Sequence, residues 1–353
     1  MISYNTSNRI LTIGCDYKTT KGGIATVLKN YSKIYYPFHF IYTSRCRGKI
    51  SNLCDLVCSV FIFFIKCFSS TKQIIHIHSA SNSSFKRKAI FINIAYLFRK
   101  KIILHIHGGA FKEFTESNSN LVTSCISKVD VIIALSENWF YYFKEKYPNK
   151  KIVKVPNIVA SPRPILRNKN NNYVTEAVFL GLINKNKGIF DLLRIIHENR
   201  DYLTGKFKLH IGGNGETEKL CEYIKEYDMS NLVIYEGWVN EKEKEQLLSN
   251  SDVFILPSYI EGVPISILEA MSYKLPIIST TVGGIPEIVQ HLKNGFLFSP
   301  GQHEKLFSYI KEIIENKETA KEMGAKSFEL VKAHFAENVS QVLESIYKEL
   351  LNK

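Results

Sequence analysis

The chain has 353 residues, 45% of them hydrophobic and 22% charged, with a mean hydropathy of −0.08. That balance excludes a disordered chain, and the length allows two domains of ordinary size. The net charge of +13 is unevenly spread: residues 1–160 carry 23 Lys/Arg against 7 Asp/Glu, whereas residues 161–353 carry 23 against 26. A nucleic acid, an anionic membrane surface or a diphosphate ligand would each account for so cationic an N-terminal half; solubility alone is the plain alternative.

In chain order, the N-terminus enters a strand without a secretory signal. The stretches 9–13, 74–77, 101–106, 129–134 and 152–155 are short, apolar and β-branched, and helical patterns lie between several of them. Such alternation predicts α/β architecture with parallel sheets. Thr20-Lys21-Gly22-Gly23-Ile24 follows the first strand. Glycines there let backbone N–H groups approach a diphosphate at a helix start, which marks Gly22 and Gly23 as candidates; the plain alternative is a turn. The apolar run 56–68 is shorter than the ~20 residues of a membrane span and is interrupted by Lys66, so it reads as a buried helix. Segment 85–101 is apolar between two basic ends, Lys86-Arg87-Lys88 and Arg99-Lys100-Lys101. It reads either as a core helix with snorkelling ends or as a helix lying on an anionic bilayer.

Two H-x-H pairs, His76/His78 and His105/His107, sit at strand ends. Residues i and i+2 project from one strand face. No third ligand lies nearby in sequence, so core histidines are the plainer reading and no metal is assigned. The seven cysteines lack zinc spacing and read as thiols of a reducing compartment.

A break at Pro156-Asn157 continues through a Pro- and Asn-rich stretch. It predicts a first domain over 1–160, a linker over 161–173 and a second domain over 174–336. In the second domain, 174–180, 208–211, 232–236 and 253–256 read as strands, 190–198 as a helix, and the chain from Gln302 as helical. Glu261 and Glu269 flank Gly262-Val263-Pro264, a helix start with Pro264 at the first helical position. Glu261 then precedes the helix and Glu269 lies in its second turn. The unpaired N–H groups of that end form a phosphate seat. A carboxylate one turn in can grip two ribose hydroxyls, and one ahead of the helix can reach a sugar beyond the phosphates. The plain alternative is two acids complementing a helix dipole.

Glu261, Pro264, Ile265, Ser266 and Glu269 match E-G-x-P-x-x-x-x-E. With the apolar stretch 275–278 and the turn Val282-Gly283-Gly284-Ile285-Pro286-Glu287, the run resembles the donor-binding segment of family 4 glycosyltransferases. That family has the GT-B fold, two Rossmann-like parallel-sheet domains facing across a cleft, with the last helix (337–353 here) packing back on the first domain. Gly181 to Gly188 resembles its G-R-L-x-x-x-K-G element, in which Lys187 matches the lysine that neutralises the donor diphosphate; Leu182 stands where the arginine should be. The resemblance also implies that Gly213 and Asn214 line the nucleotide side, that Trp238 and Val239 meet the base, and that His107, in an H-G element supported by His105, acts at the donor sugar. His107, Lys187 and Glu261 are therefore the expected catalytic residues. No D-x-D exists among the seven aspartates, so Lys187 and helix dipoles are expected to serve without a metal cofactor.

The resemblance implies a retaining, metal-independent glycosyltransferase. Its nucleotide-sugar donor would be a UDP-hexose, UDP-N-acetylhexosamine or GDP-mannose, and its acceptor a polyprenyl-diphosphate-linked glycan in O-antigen, capsule or exopolysaccharide assembly. It would work in the cytoplasm as a peripheral protein on the inner face of the cell membrane, with no nucleic acid as partner. Two other classes stand beside it. A GT-B sugar-nucleotide epimerase would turn over donor without acceptor. A basic nucleic-acid-binding protein is suggested by charge alone, and no binding motif supports it.

Overall fold

The computed structural model describes residues 1–45, 48–162 and 174–352. The chain forms two compact units, Met1–Val159 with Ala333–Lys353, and Ala160–Lys332. The expected linker lies almost wholly in 163–173, outside the described residues.

The first unit begins with α1 (Tyr4–Asn8), β1 (Ile10–Gly14), α2 (Gly23–Ile34), β2 (Phe40–Tyr42), α3 (Lys49–Cys67), β3 (Ile74–Ser79) and α4 (Ser83–Leu97). It continues with β4 (Lys101–Ile106), α5 (Phe111–Ser117), α6 (Ser119–Ser127), β5 (Val131–Ala134), α7 (Glu137–Lys146) and β6 (Lys151–Lys154). The strands form one parallel sheet in the order β2-β1-β3-β4-β5-β6. Every residue of β1, β3 and β5 is buried. Helices on both faces of a parallel sheet leave its strands no wet side, which is why they read as continuous apolar runs.

The second unit holds β7 (Thr175–Leu180), α8 (Ile189–Glu198), α9 (Arg200–Leu203), β8 (Phe207–Gly212), α10 (Thr217–Glu226), β9 (Val233–Gly237) and α11 (Glu241–Asn250). After these come β10 (Val253–Leu256), α12 (Ile265–Ser272), β11 (Ile277–Thr280), α13 (Ile285–Ile288), β12 (Gly295–Phe298), α14 (His303–Glu315) and α15 (Lys317–Val331). Its sheet is also parallel, in the order β12-β11-β10-β7-β8-β9. The last helix, α16 (Ala336–Leu351), belongs to the first unit, where it packs on α1, α2 and β3.

Two strands escape the sequence reading, β2 and β12. Both are edge strands of three or four residues, too short to show a period. A larger correction concerns residues 56–68. Residues 56–67 belong to the 19-residue α3, with Phe68 as its C-cap, and most of this helix is not buried. An 18-residue window of it, Ile50–Cys67, is long and apolar enough to cross a membrane by length and composition, and only 17% of that window is buried. Ser59, Phe63 and Cys67 face the core, and much of the remaining apolar surface faces outward. In segment 85–101 the basic ends also differ from expectation. Lys88 is buried, donating to the Thr43 hydroxyl at 2.8 Å and to Ser84 Oγ at 3.4 Å, so it offers no charge to a surface.

Candidate functional site

In each sheet the chain reverses winding direction beside its first long strand. In the second unit β7 has β8 on one side and β10 on the other. At such a switch point the loops leaving the two strands part and leave a crevice at their carboxyl ends, the usual ligand seat of an open α/β sheet. The residues singled out in this half fall there. Lys187 leaves β7, Gly213 and Asn214 leave β8, Trp238 and Val239 leave β9, and Glu261 to Glu269 leave β10.

Lys187 ends a 3-10 turn, Lys185–Lys187, capped by Asn184, whose side chain accepts from the Lys187 backbone N–H at 3.1 Å. Gly188 follows with φ +69°, and a Cβ there would lie 2.1 Å from the Pro257 carbonyl oxygen. Only glycine lets the β7 loop press this closely on the β10 loop. Tyr259 N–H then donates to the Asn186 carbonyl at 2.8 Å. The Lys187 ammonium is thereby set against the Glu261 carboxylate, 74 positions on, in a direct ion pair. Ser258 Oγ donates to the same carboxylate oxygen at 2.8 Å. Leu182 is 45% exposed where the family arginine is expected, and Lys185 nearby is exposed.

Pro264 caps α12 rather than opening it, and Ile265 is the first helical residue. Ile265 and Ser266 are half-buried at this end. Glu269 occupies the second turn and pairs with Lys244 of α11. Burial works against the Lys244 ammonium, but the adjacent Glu269 carboxylate, with Glu241 and Glu245, outweighs it and the pKa is raised, so the ammonium keeps its charge. The sequence reading missed Lys244: α11 carries five charged residues in its first five and reads as a solvated helix.

The loop after β8 packs against the loop after β7. Gly213 donates its N–H to Gly237 at 2.8 Å, and a Cβ on it would meet the Gly181 carbonyl oxygen at 1.9 Å. Ile183 N–H donates to Asn214 at 2.7 Å. Trp238 is 43% exposed, and Val239 packs against Gly212.

In the first unit, Gly22 caps α2 with φ +126° and Gly23 opens the helix. The two H-x-H pairs meet: β3 and β4 are in register with His78 opposite His105. Four imidazoles form a cluster, with ring centroids 4.4 Å apart for His76 and His78, 4.8 Å for His78 and His105, 4.2 Å for His105 and His107, and 5.1 Å for His78 and His107. His78 Nδ1 and His107 Nε2 share a hydrogen bond of 2.9 Å, and His76 Nδ1 bonds the Tyr347 hydroxyl of α16 at 2.7 Å. Tyr347 in turn bonds Tyr35. Burial drives all four histidines toward the neutral form, His76 and His107 to about 3. The third histidine absent from the local sequence is thus present in space: His76, His78 and His105 place ring nitrogens within 4.8 Å of one another.

Residues 162–329 match the family model described as Glycosyl transferases group 1. N-acetyl-alpha-D-glucosaminyl L-malate synthase of Bacillus anthracis is 26% identical over 265 residues, 72% of this chain and 69% of that protein. Lipopolysaccharide 1,6-galactosyltransferase of Salmonella typhimurium is 32% identical over 115 residues, 31% of this chain and 32% of that protein. Among solved structures, Anabaena HepE in complex with UDP-glucose superposes with a TM-score of 0.75 at 15% identity, covering 97% of this chain and 99% of its own. The chain has the GT-B fold, and its residues 162–329 are similar to the glycosyl transferases group 1 family.

Proposed function

We propose that the chain is a retaining, metal-independent glycosyltransferase. It moves a sugar from a UDP-hexose, UDP-N-acetylhexosamine or GDP-mannose to a polyprenyl-diphosphate-linked glycan in surface-polysaccharide assembly, as a peripheral protein on the cytoplasmic face of the membrane. The observation that carries the reading is the Lys187–Glu261 pair across the β7/β10 switch point. Without ligand the two charges neutralise each other. A donor diphosphate takes the ammonium for itself, and the carboxylate is released to accept hydroxyls of the donor sugar. Negative charge builds on the departing diphosphate, so a lysine held at that place lowers the barrier and not only the energy of the bound donor. Glu269, held by Lys244, receives the two ribose hydroxyls, while the half-buried α12 start and Gly213-Asn214 face the nucleotide. Trp238 and Val239 take the base.

The donor class is supported by HepE, which was solved with UDP-glucose, and the polysaccharide setting by the lipopolysaccharide galactosyltransferase. Retention is carried over from the family resemblance and is read from the anomeric configuration of the product. The test incubates the pure protein with a panel of nucleotide sugars and a short-chain polyprenyl-diphosphate sugar, and weighs the products. A single mass increment of one sugar from one donor is the expected result. Donor turnover without acceptor would replace the proposal with an epimerase.

A further inference from the structure

α3 is an unusual crossover helix. Its side toward the sheet is ordinary, with Phe63 and Cys67 buried and the Phe63 ring 5.2 Å from Phe91 of α4. Its outer side carries Ile50, Leu53, Val57, Phe61 and Phe68, each between 61% and 82% exposed. Isolated exposed apolar residues need no explanation, but a helix-long stripe of them marks a contact with something. Its single acid, Asp55, is turned to Arg45 at 3.7 Å, so nothing on the stripe repels an anionic partner. α3 cannot span a bilayer, because it joins β2 to β3 in one sheet and packs on α4.

The C-terminal end of the stripe runs into a second feature. Phe64, Phe68 and Phe98 form an aromatic cluster with centroids 4.9 to 5.4 Å apart, tying the end of α3 to the end of α4. Lys100 Nζ donates to the Ser69 carbonyl at 2.8 Å across the same junction. Beside it a cleft of about 660 Å³ is lined by Arg99, Lys100, Lys101 and Lys128, with the exposed Tyr96 and Leu97 at its edge. One carboxylate faces these four cations, Asp130, which lies 3.9 Å from Lys101 and accepts the Ile102 N–H at 2.7 Å. An apolar helix-long face that ends in a cationic cleft matches one kind of surface, in which acyl chains lie beneath anionic headgroups.

We propose that the outer face of α3 is the seat of this protein on an anionic bilayer. The helix lies in the headgroup plane, and the Arg99–Lys100–Lys101–Lys128 cleft receives a lipid phosphate. The idea deepens the proposed function, whose lipid-linked acceptor lies at such a surface, and rests on that reading only for its purpose. The strongly cationic first 160 residues supply the long-range attraction.

The test is sedimentation with vesicles of phosphatidylcholine alone or with one-third phosphatidylglycerol, with UDP-sugar binding measured on the same samples without vesicles. The wild type is expected to pellet with the anionic vesicles only, and to be released as salt rises from 0.1 to 0.5 M. Val57→Glu with Phe61→Glu, both on exposed positions, should weaken partitioning at least tenfold and leave nucleotide binding unchanged. Arg99→Asn with Lys128→Gln, asparagine being tolerated at the positive φ of Arg99, should remove most of the preference for anionic lipid and part of the salt dependence. Three results would overturn the proposal: no pelleting by a wild type that binds nucleotide, undiminished pelleting of the α3 variant, or a concentration-dependent dimer that the α3 variant abolishes while vesicles are ignored. Vesicle binding by a protein that binds no nucleotide sugar would leave the docking face standing and remove the enzymatic reading.

Discussion

Acid should unfold the first unit well before it protonates most carboxylates. His76, His78 and His105 are buried and held neutral, each with Nε2 enclosed and unbonded. Their pKa values are lowered by burial, that of His76 from 6.5 to about 3. A group whose folded pKa is depressed gives a base its full stabilising contribution above the unfolded pKa. That contribution is lost as pH falls through the window from about 6.5 to about 3. At pH 5 the unfolded chain has taken a proton that the folded chain refuses, about 1.5 pH units below the unfolded pKa. At about 1.4 kcal/mol per unit this is about 2 kcal/mol for each of His76 and His107, both held near 3, or about 4 kcal/mol for the two, and His78 and His105 act in the same direction. A domain holds only about 5–15 kcal/mol in all. With a urea dependence of about 2 kcal/mol per molar, the midpoint should fall by at least about 2 M between pH 7.5 and pH 5. Burial pushes the Glu344 carboxyl up, but hydrogen bonds from Ser3 and Thr6 outweigh it and lower the pKa, so its contribution is lost only below its ordinary 4.5, under the assayed range of pH 7.5 to 5. Fluorescence of Trp139 in a Trp238→Phe background reports this unit alone. His76→Gln should cut the slope by about 1.4 kcal/mol per pH unit. A midpoint that stays level from pH 7.5 to 5 would refute the reasoning.

The ligand site gives three further expectations. Glu269→Ala removes a charge-assisted pair of hydrogen bonds worth about 1.5–3 kcal/mol each; calorimetry should show nucleotide affinity lowered at least tenfold in a folded protein, and unchanged affinity would remove its ribose role. Lys187→Ala should lower kcat about 10²–10³-fold, as loss of a transition-state charge partner does, and raise donor KM less, while EDTA leaves the wild type unaffected; a strict requirement for Mn²⁺ or Mg²⁺ would contradict this electrostatic scheme. Leu182→Arg places a planar fork where the exposed leucine now stands and should tighten nucleotide-diphosphate binding several-fold over nucleoside in calorimetry; an unmoved ratio would show that position 182 does not face the phosphates.

Much of the fold was legible because parallel strands buried on both faces leave unmistakable apolar runs; β1, β3 and β4 were found within a residue or two for that reason. β2 and β12 were not: at three and four residues they carry no period, and they lack the β-branched Ile152-Val153 pair that marks the equally short edge strand β6. The α3 error has a different origin. An apolar helix looks the same in sequence whether its outer face meets protein, lipid or water. Only the placement of Ser59, Phe63 and Cys67 against the sheet shows that one side is satisfied and the other is not.

The site was legible as a set of loops and illegible as a set of pairs. Glycine and proline positions told where the chain turns, since a side chain at 188 or 213 would collide with backbone. They could not tell which lysine meets which glutamate. That follows from strand order: β7 lies beside β10 although β8 and β9 intervene in sequence, and this brings Lys187 to Glu261 across 74 residues. α11 brings Lys244 to Glu269 across 25. The same logic holds in the first unit, where the register of β3 on β4 builds a histidine cluster from two pairs that look unrelated in the chain. In both units the local segments were written in sequence and the partners were matched by topology. A substitution that preserves a motif letter but shifts the neighbouring strand should therefore harm the site as much as loss of the letter itself. The opposing partner, and not the motif residue alone, fixes where each charge stands.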